Sequence, residues 1–288
     1  MSKTMVLRAK RDERILRMKN EVSELGITPT LGIVVCQDYD QSSTRYVNNK
    51  IKIANEIGIQ CEKIEIQWKG LDEEEVFRNL FSVVSTLNSN KKYDGIIIQL
   101  PLPLSKDKEE LICNSVYPIK DVDGFHYTNL GRVVRGVDSF VSCTPLGVMN
   151  MLNDYNIDVE GKNVAVIGRS KHVGLPLVNL LINKGATVVS CNSKTKNIED
   201  ILKQQDIVIS AVGKAKIWNE THFNENAILI DIGINVDENG KLCGDIDSQR
   251  VDGKVLAYSP VPGGVGIMTV LALMENVIKS YKKYKMIG

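Results

Sequence analysis

The sequence predicts an α/β protein of two domains, and three observations carry that prediction. Strand-length apolar runs alternate with stretches of helical period almost from end to end, the pattern of parallel strands joined by helical crossovers. The stretch GKNVAVIGRSKHVGLP, beginning at Gly161 and ending at Pro176, reads as strand, tight glycine turn and helix start in succession. A turn-rich region, residues 117–143, interrupts the alternation, and 288 residues with 43% hydrophobic content suffice for a core on either side of it.

In chain order, the N-terminal segment carries Lys3, Arg8, Lys10, Arg11 and Arg14, but Asp12, Glu13, Glu21 and Glu24 are interspersed. Transit peptides avoid acids. Ile15, Met18, Val22 and Leu25 recur at helical spacing instead, as in an amphipathic surface helix. Strands are expected at residues 31–36, 61–67 and 95–100, and helices at 44–57 and 73–87, with Gly58 stopping the first helix and Asp72 capping the second. Thr144 and Pro145 suit an N-cap and a first helical position, so a crossing helix begins there. Further strands follow at 163–167, 186–191, 207–212, 228–231 and 255–258, and a last amphipathic helix at 269–281. We therefore expect a first domain over residues 1–120, a second over 144–268, a C-terminal helix over 269–288 returning to the first, and a cleft between the lobes.

Acids and bases nearly balance, for a formal charge of +1, so the one-sided basic face that nucleic acids require is absent. The longest apolar runs, such as 95–100 and 227–230, are strand-sized and fall far short of the ~20 residues that span a bilayer. Neither nucleic acid nor membrane is an expected partner. Cys36, Cys61, Cys113, Cys143, Cys191 and Cys243 form no CxxC pair, and only His126, His172 and His222 could join them as ligands. No metal site or disulfide framework is expected; the cysteines read as small core residues in the reducing cytoplasm.

The glycine turn sets the first chemistry. Residues 163–167 suit a buried parallel strand, Gly168 permits the turn, and Gly174 with Pro176 opens a helix whose unpaired N–H groups would face an anion. Ser170 and Val173 stand where a GxGxxG motif has its second and third glycines. A binder of NAD places an acid about 20 residues past such a turn. Here the next strand tip reads CNSKTK, offering Ser193, Lys194 and Lys196, and Arg169 lies inside the turn itself. A hydroxyl with cations suits a 2′-phosphate, so NADP is favoured over NAD; Lys194 and Lys196 could equally be solvated loop charges.

In the first half, Tyr46 and Lys50 stand four residues apart on an expected helix and share a face. In GIIIQLPLP, polar Gln99, followed by Leu100, ends an apolar strand at the edge where open α/β sheets gather ligand groups. The segment KDVDGFH brings Asp121 and Asp123 into a turn that one of them could stabilise, or where both could hold a ligand's amino groups. SPVPGGVGIMT, residues 259–269, has the prolines and glycines, Pro262, Gly263 and Gly264 among them, that let backbone approach a flat ligand.

Together these segments resemble the bifunctional methylenetetrahydrofolate dehydrogenase/methenyltetrahydrofolate cyclohydrolase family. The resemblance covers nearly the whole chain and rests on YVNNK, GIIIQLPLP, KDVDG, CTPLG, GRSKHVGLP, DIGIN and PVPGGVG in order. It implies two α/β domains around a folate cleft, the C-terminal one a Rossmann-like NADP-binding domain, in a cytoplasmic homodimer of one-carbon metabolism that serves purine biosynthesis. Lys50 would be the principal catalytic residue, Tyr46 would line the folate ring and support it, Gln99 would hydrogen-bond Lys50, and Asp123 would bind the pterin. Leu100, Pro262, Gly263 and Gly264 would line the substrate site; Gly168, Arg169, Ser170, Gly174, Ser193 and Ile234 would meet the cofactor. Asn192, Ser259 and Ile267 depart from the family's usual histidine, threonine and proline.

The implied activity oxidises 5,10-methylenetetrahydrofolate with NADP⁺ and hydrolyses the methenyl product to 10-formyltetrahydrofolate. Three other readings stay open at this level: a dehydrogenase-only relative with weak cyclohydrolase, an NADP-dependent dehydrogenase of another small metabolite, and a non-catalytic nucleotide-binding protein.

Overall fold

The computed structural model describes residues 2–24, 26 and 28–285. In chain order its elements are β1 (Lys3–Thr4), α1 (Arg8–Glu24), β2 (Thr30–Cys36), α2 (Gln41–Ile57), β3 (Gln60–Ile66), α3 (Glu73–Ser89), β4 (Gly95–Ile98), α4 (Lys106–Ser115) and α5 (Tyr127–Val134). There follow α6 (Cys143–Asp154), β5 (Asn163–Ile167), α7 (Gly174–Asn183), β6 (Thr187–Cys191), α8 (Ile198–Leu202), β7 (Ile207–Ser210), β8 (Ile228–Asp231), β9 (Asn235–Val236), β10 (Leu242–Cys243), α9 (Ser248–Val251), β11 (Ala257–Tyr258) and α10 (Val265–Lys285). They form two compact units.

The first unit comprises Glu13–Arg132, Asp138–Cys143 and the chain from Leu273. Its sheet is parallel, in the order β3-β2-β4. β2 reads TLGIVVC and is buried at every residue, as a central strand covered on both faces must be. The chain passes from β2 through α2 to β3 on one side, then through α3 to β4 on the other. β2 and β4 therefore flank a topological switch point, where the loops leaving their carboxyl ends diverge and open a crevice. Gly58 ends α2 in the left-handed region, its N–H turned back to Ala54 and Asn55, and Asp72 forms a capping box with Glu75 at the start of α3. Val34, Leu80, Ile96, Ile98, Leu102 and Ile112 belong to its core. The C-terminal part of α10 is tied in by Ser280, whose hydroxyl donates to Asp94 O over 2.6 Å.

The second unit comprises residues 2–12, Val133–Val137 and Thr144–Ala272. Its six strands are all parallel, ordered β1-β11-β8-β7-β5-β6. β5 pairs with β6 on one side and with β7 on the other, which makes a second switch point beside the glycine turn. This is the Rossmann-like arrangement.

Several local expectations shift. The sequence assigns residues 1–12 to the first half, but Lys3–Thr4 pairs with Ala257–Tyr258 in the second unit's sheet, and Ser2 hydrogen-bonds Val255 O. A two-residue strand has no period to read, and its partner lies near the opposite end of the chain. Thr144 is not the cap of α6, which already starts at Cys143. β4 and β7 stop at Ile98 and Ser210, short of the expected 100 and 212; Gln99 N and Ala211 N still bond to Val34 O and Ile167 O before the chain turns away. The antiparallel β9-β10 hairpin is unanticipated. Of the N-terminal stripe, Ile15, Met18 and Val22 are buried, and Leu25 lies outside the described residues. No described helix is long and apolar enough to cross a membrane.

Candidate active site

In the first unit, the buried face of α2 runs through Ser43, Val47, Ala54 and Ile57, positions that repeat at helical spacing. Lys50 falls on this same stripe and is half-buried. Its ammonium donates to Gln99 Oε1 over 2.9 Å. Gln99 follows β4, its N–H completing the sheet to Val34 O over 2.8 Å, and its Nε2 donates to Leu100 O over 2.9 Å. That second bond turns the amide so that its oxygen faces Lys50. Leu100 O also accepts from Ser43 Oγ over 3.1 Å, fastening the first turn of α2 to the loop after β4. Asp40 caps that turn through Ser43 N. A cation is thus carried by a mostly apolar helix face to the carboxyl edge of the sheet.

Tyr46, one turn before Lys50, is exposed. Partial burial raises its phenol above the usual range. It shares α2 with Lys50 but not the buried stripe.

The two aspartates of KDVDG separate. Asp121 is buried and closes the turn, accepting from Phe125 N (3.1 Å), His126 N (2.8 Å) and Asn129 Nδ2 (2.8 Å). Burial, outweighing those bonds, pushes its carboxyl up to about 6. Asp123 is half-buried and keeps its carboxylate for other partners. It reaches the thiol of Cys143 at the start of α6: burial first, then Asp123, raises that thiol, while the charge of Lys50 lowers it. Asp123 thus bonds the buried sulfur, and the charge of Lys50 is felt there as well. Asn276 of α10 closes its far side, donating to Val122 O (2.8 Å) and Val141 O (3.0 Å). Sequence reasoning missed Asn276; the available signal was a lone amide within the apolar run VLALMENVI.

In the second unit, Gly168 ends β5 at φ +107°, and its N–H donates to Cys191 O of β6 over 2.9 Å. A Cβ at Gly168 would run into Ala211 O, and one at Gly174 into Gly168 O. No side chain fits at either position, so bare backbone lines the turn. That cradle, together with the start of α7, suits a pyrophosphate. Ser170 Oγ accepts weakly from Gly174 N at 3.5 Å. Arg169 is exposed, and Ser193, also exposed, lies two residues past Cys191, the β6 partner of Ile167. The pairing of β5 with β6 so brings a cation and a hydroxyl to one sheet edge, while Asn192, through Lys194 N (2.8 Å), folds the β6 loop back. These residues fit a 2′-phosphorylated dinucleotide.

Ile234 is half exposed just past β8. Pro262, Gly263 and Gly264 form the loop between β11 and α10, entered through a cis Val261–Pro262 bond. They lie in the second unit, whereas Lys50, Gln99, Leu100 and Asp123 lie in the first.

Residues 4–123 match the profile of the tetrahydrofolate dehydrogenase/cyclohydrolase catalytic domain, and residues 142–285 that of the same family's NAD(P)-binding domain. The chain belongs to the tetrahydrofolate dehydrogenase/cyclohydrolase family. A curated family member, the bifunctional protein FolD of Methanoculleus marisnigri, is 42% identical over 271 residues, covering 94% of this chain and 93% of its own. The bifunctional FolD methylenetetrahydrofolate dehydrogenase/cyclohydrolase of Campylobacter jejuni is structurally similar, with a TM-score of 0.91, 36% identity and coverage of 98% and 99%. The Trypanosoma brucei family member, solved with NADP cofactor and inhibitor, has a TM-score of 0.89 at 30% identity, covering 98% of each chain.

Proposed function

We propose that this chain oxidises 5,10-methylenetetrahydrofolate to 5,10-methenyltetrahydrofolate with NADP⁺ and hydrolyses the methenyl form to 10-formyltetrahydrofolate. The observation that carries the reading is the bond from Lys50 to Gln99 at a sheet edge, in a chain whose two halves match the two domains of one family. The first unit is the folate-binding catalytic domain and the second the NADP-binding domain. By the family resemblance, the protein works as a cytoplasmic homodimer whose product serves purine biosynthesis.

Gly168 and Gly174 would hold the pyrophosphate, with Ser170 beside it, Arg169 and Ser193 would hold the 2′-phosphate, and Ile234 would flank the nicotinamide. When bound, NADP⁺ supplies the acceptor for the hydride expelled from the methylene carbon by an adjacent nitrogen lone pair. The protein's part in that step is alignment, to which Pro262 contributes its ring and Gly263 and Gly264 contribute bare backbone.

Hydrolysis needs protons moved, and Lys50 moves them. Its amine takes a proton from the water that attacks the methenyl carbon. As that carbon parts from one ring nitrogen, Lys50 returns a proton there, and the overall step releases one proton to solvent. Gln99 aims the amine, Tyr46 lines the folate ring, the Leu100 backbone shapes the pocket wall, and Asp123 binds the amino groups of the pterin.

A spectrophotometric assay with methylenetetrahydrofolate and either NADP⁺ or NAD⁺ tests all parts together. NADP⁺ reduction with transient methenyl absorbance is expected. Persistent methenyl absorbance would point to a dehydrogenase-only enzyme, and no reduction of either nucleotide would overturn the assignment.

A further inference from the structure

Beside the glycine turn, one buried carboxylate organises the rest of the second unit's carboxyl edge. Asp245, just past the β9-β10 hairpin, is fully buried. Its Oδ2 accepts from Ser210 Oγ (2.8 Å) and Val212 N (2.7 Å), and its Oδ1 from Lys214 N (3.0 Å) and Asn235 Nδ2 (3.0 Å). These four donors use up a carboxylate's acceptor positions, so none remains for a ligand. Asp231 holds the Asp245 backbone from behind: its Oδ1 accepts from Asp245 N (3.0 Å) and Gly233 N (2.9 Å), and its Oδ2 from Ile246 N (2.7 Å). A side chain at Gly233 would strike the Asp245 carboxylate, and one at Gly244 that of Asp231. The hub is sealed on all sides.

What it ties together is the loop leaving β7 and the segment leaving β8. The strand order runs β6-β5-β7-β8. With the 2′-phosphate over β6 and the pyrophosphate at the β5 turn, a dinucleotide crossing the switch point meets the β7 and β8 loops with its other half. Ile234 stands there, its Cδ1 facing Gly266 at the start of α10.

We propose that Asp245 is a positioning residue for the nicotinamide half of NADP. Without touching the cofactor, it holds Val212, Lys214 and the Ile234 segment in the shape that receives the ring. The inference rests on the NADP reading of the glycine turn.

Asp245→Asn tests it in the full chain. The amide replaces one acceptor oxygen by a donor, so in either orientation Val212 N or Lys214 N loses its partner. Trp218, whose indole N–H donates to Ser210 Oγ over 3.1 Å, supplies a local fluorescence signal for titration with NADP⁺ and with 2′,5′-ADP, the adenosine half alone. The Kd for NADP⁺ is expected to rise about tenfold, as for one lost hydrogen bond to a charged group, while that for 2′,5′-ADP changes less than about twofold. Equal weakening of both ligands would reveal general loosening and overturn the proposal, as would no change in either.

Asn235→Ala removes one tether and leaves both backbone donors satisfied, so it decides the matter if Asp245→Asn does not fold. A rise of about threefold for NADP⁺ alone is expected, and parental affinity for both ligands would overturn the positioning role. A parent chain that binds neither ligand would overturn the cofactor reading itself, and the positioning role with it.

Discussion

Lys50 and Gln99 are joined by a 2.9 Å hydrogen bond in which the amide oxygen accepts from the ammonium, and the bond from Gln99 Nε2 to Leu100 O prevents that amide from turning away. A charge on the buried stripe of a helix stabilises nothing in the core by itself. The proposed hydrolysis accounts for its position at the sheet edge.

Lys50→Met should therefore spare the fold, since a thioether suits the stripe, and abolish proton transfer. Methenyltetrahydrofolate hydrolysis should fall by about a hundredfold or more, in line with the usual contribution of a general acid or base. Decay of the methenyl absorbance measures it; the parental rate in a folded variant would remove Lys50 from the mechanism.

Gln99→Glu places a carboxylate against the ammonium and favours its charged form. The pH–rate profile for hydrolysis should move to higher pH by about one unit, with activity regained on the alkaline side. A profile that drops without moving would mean that Gln99 acts by shape alone.

Arg169→Ala should weaken NADP⁺ by about ten- to a hundredfold, the range for losing a hydrogen bond to a charged group, and NAD⁺ by less than about twofold. Equal losses in the two Kd values would reject the 2′-phosphate assignment.

Asp231 makes stability depend on pH. Burial, against the bonds from Ile246 N and Asp245 N, pushes its carboxyl from 3.8 to about 7. A raised native value means that the unfolded chain gives up its proton first as pH climbs. The stabilisation is complete below about pH 4 and is lost between about 4 and 7, amounting to ~4 kcal/mol over those three units. Asp121, raised to about 6 by burial, adds a smaller loss of the same sign within that window, whereas Asp138 and Asp237, drawn down to about 2 by their lysine partners, act only below it. Urea midpoints should be higher at pH 5 than at pH 8, and Asp231→Asn should remove most of that difference, leaving the smaller part due to Asp121; an unchanged pH dependence in that variant would exclude Asp231 as its source.

The two-lobed α/β plan was legible because strand and helix periods act over a few residues, and Gly58, Asp72 and the Gly168 turn are local devices. Gln99 stood out for the same reason, a polar side chain closing an apolar run. Asp245 left no comparable trace, and the lone amide of Asn276 in its apolar run did not show what it would bond. Each gains its meaning from backbone groups remote in sequence, Val212 and Lys214 in one case, Val122 and Val141 in the other.

By itself, then, the sequence determined where the longer buried strands and several of the long helices form, and which motifs end at the sheet edges, but not β1, α4, α5 or the β9-β10 hairpin. Only the tertiary structure decided that Lys50 faces Gln99, that Asp121 closes the turn while Asp123 stays available, and that residues 3–4 join the second sheet. The physical reason is that periodicity is a property of neighbours along the chain. Hydrogen-bond partnership between distant segments is set by strand order, register and the paths of loops, which appear only when the chain is folded.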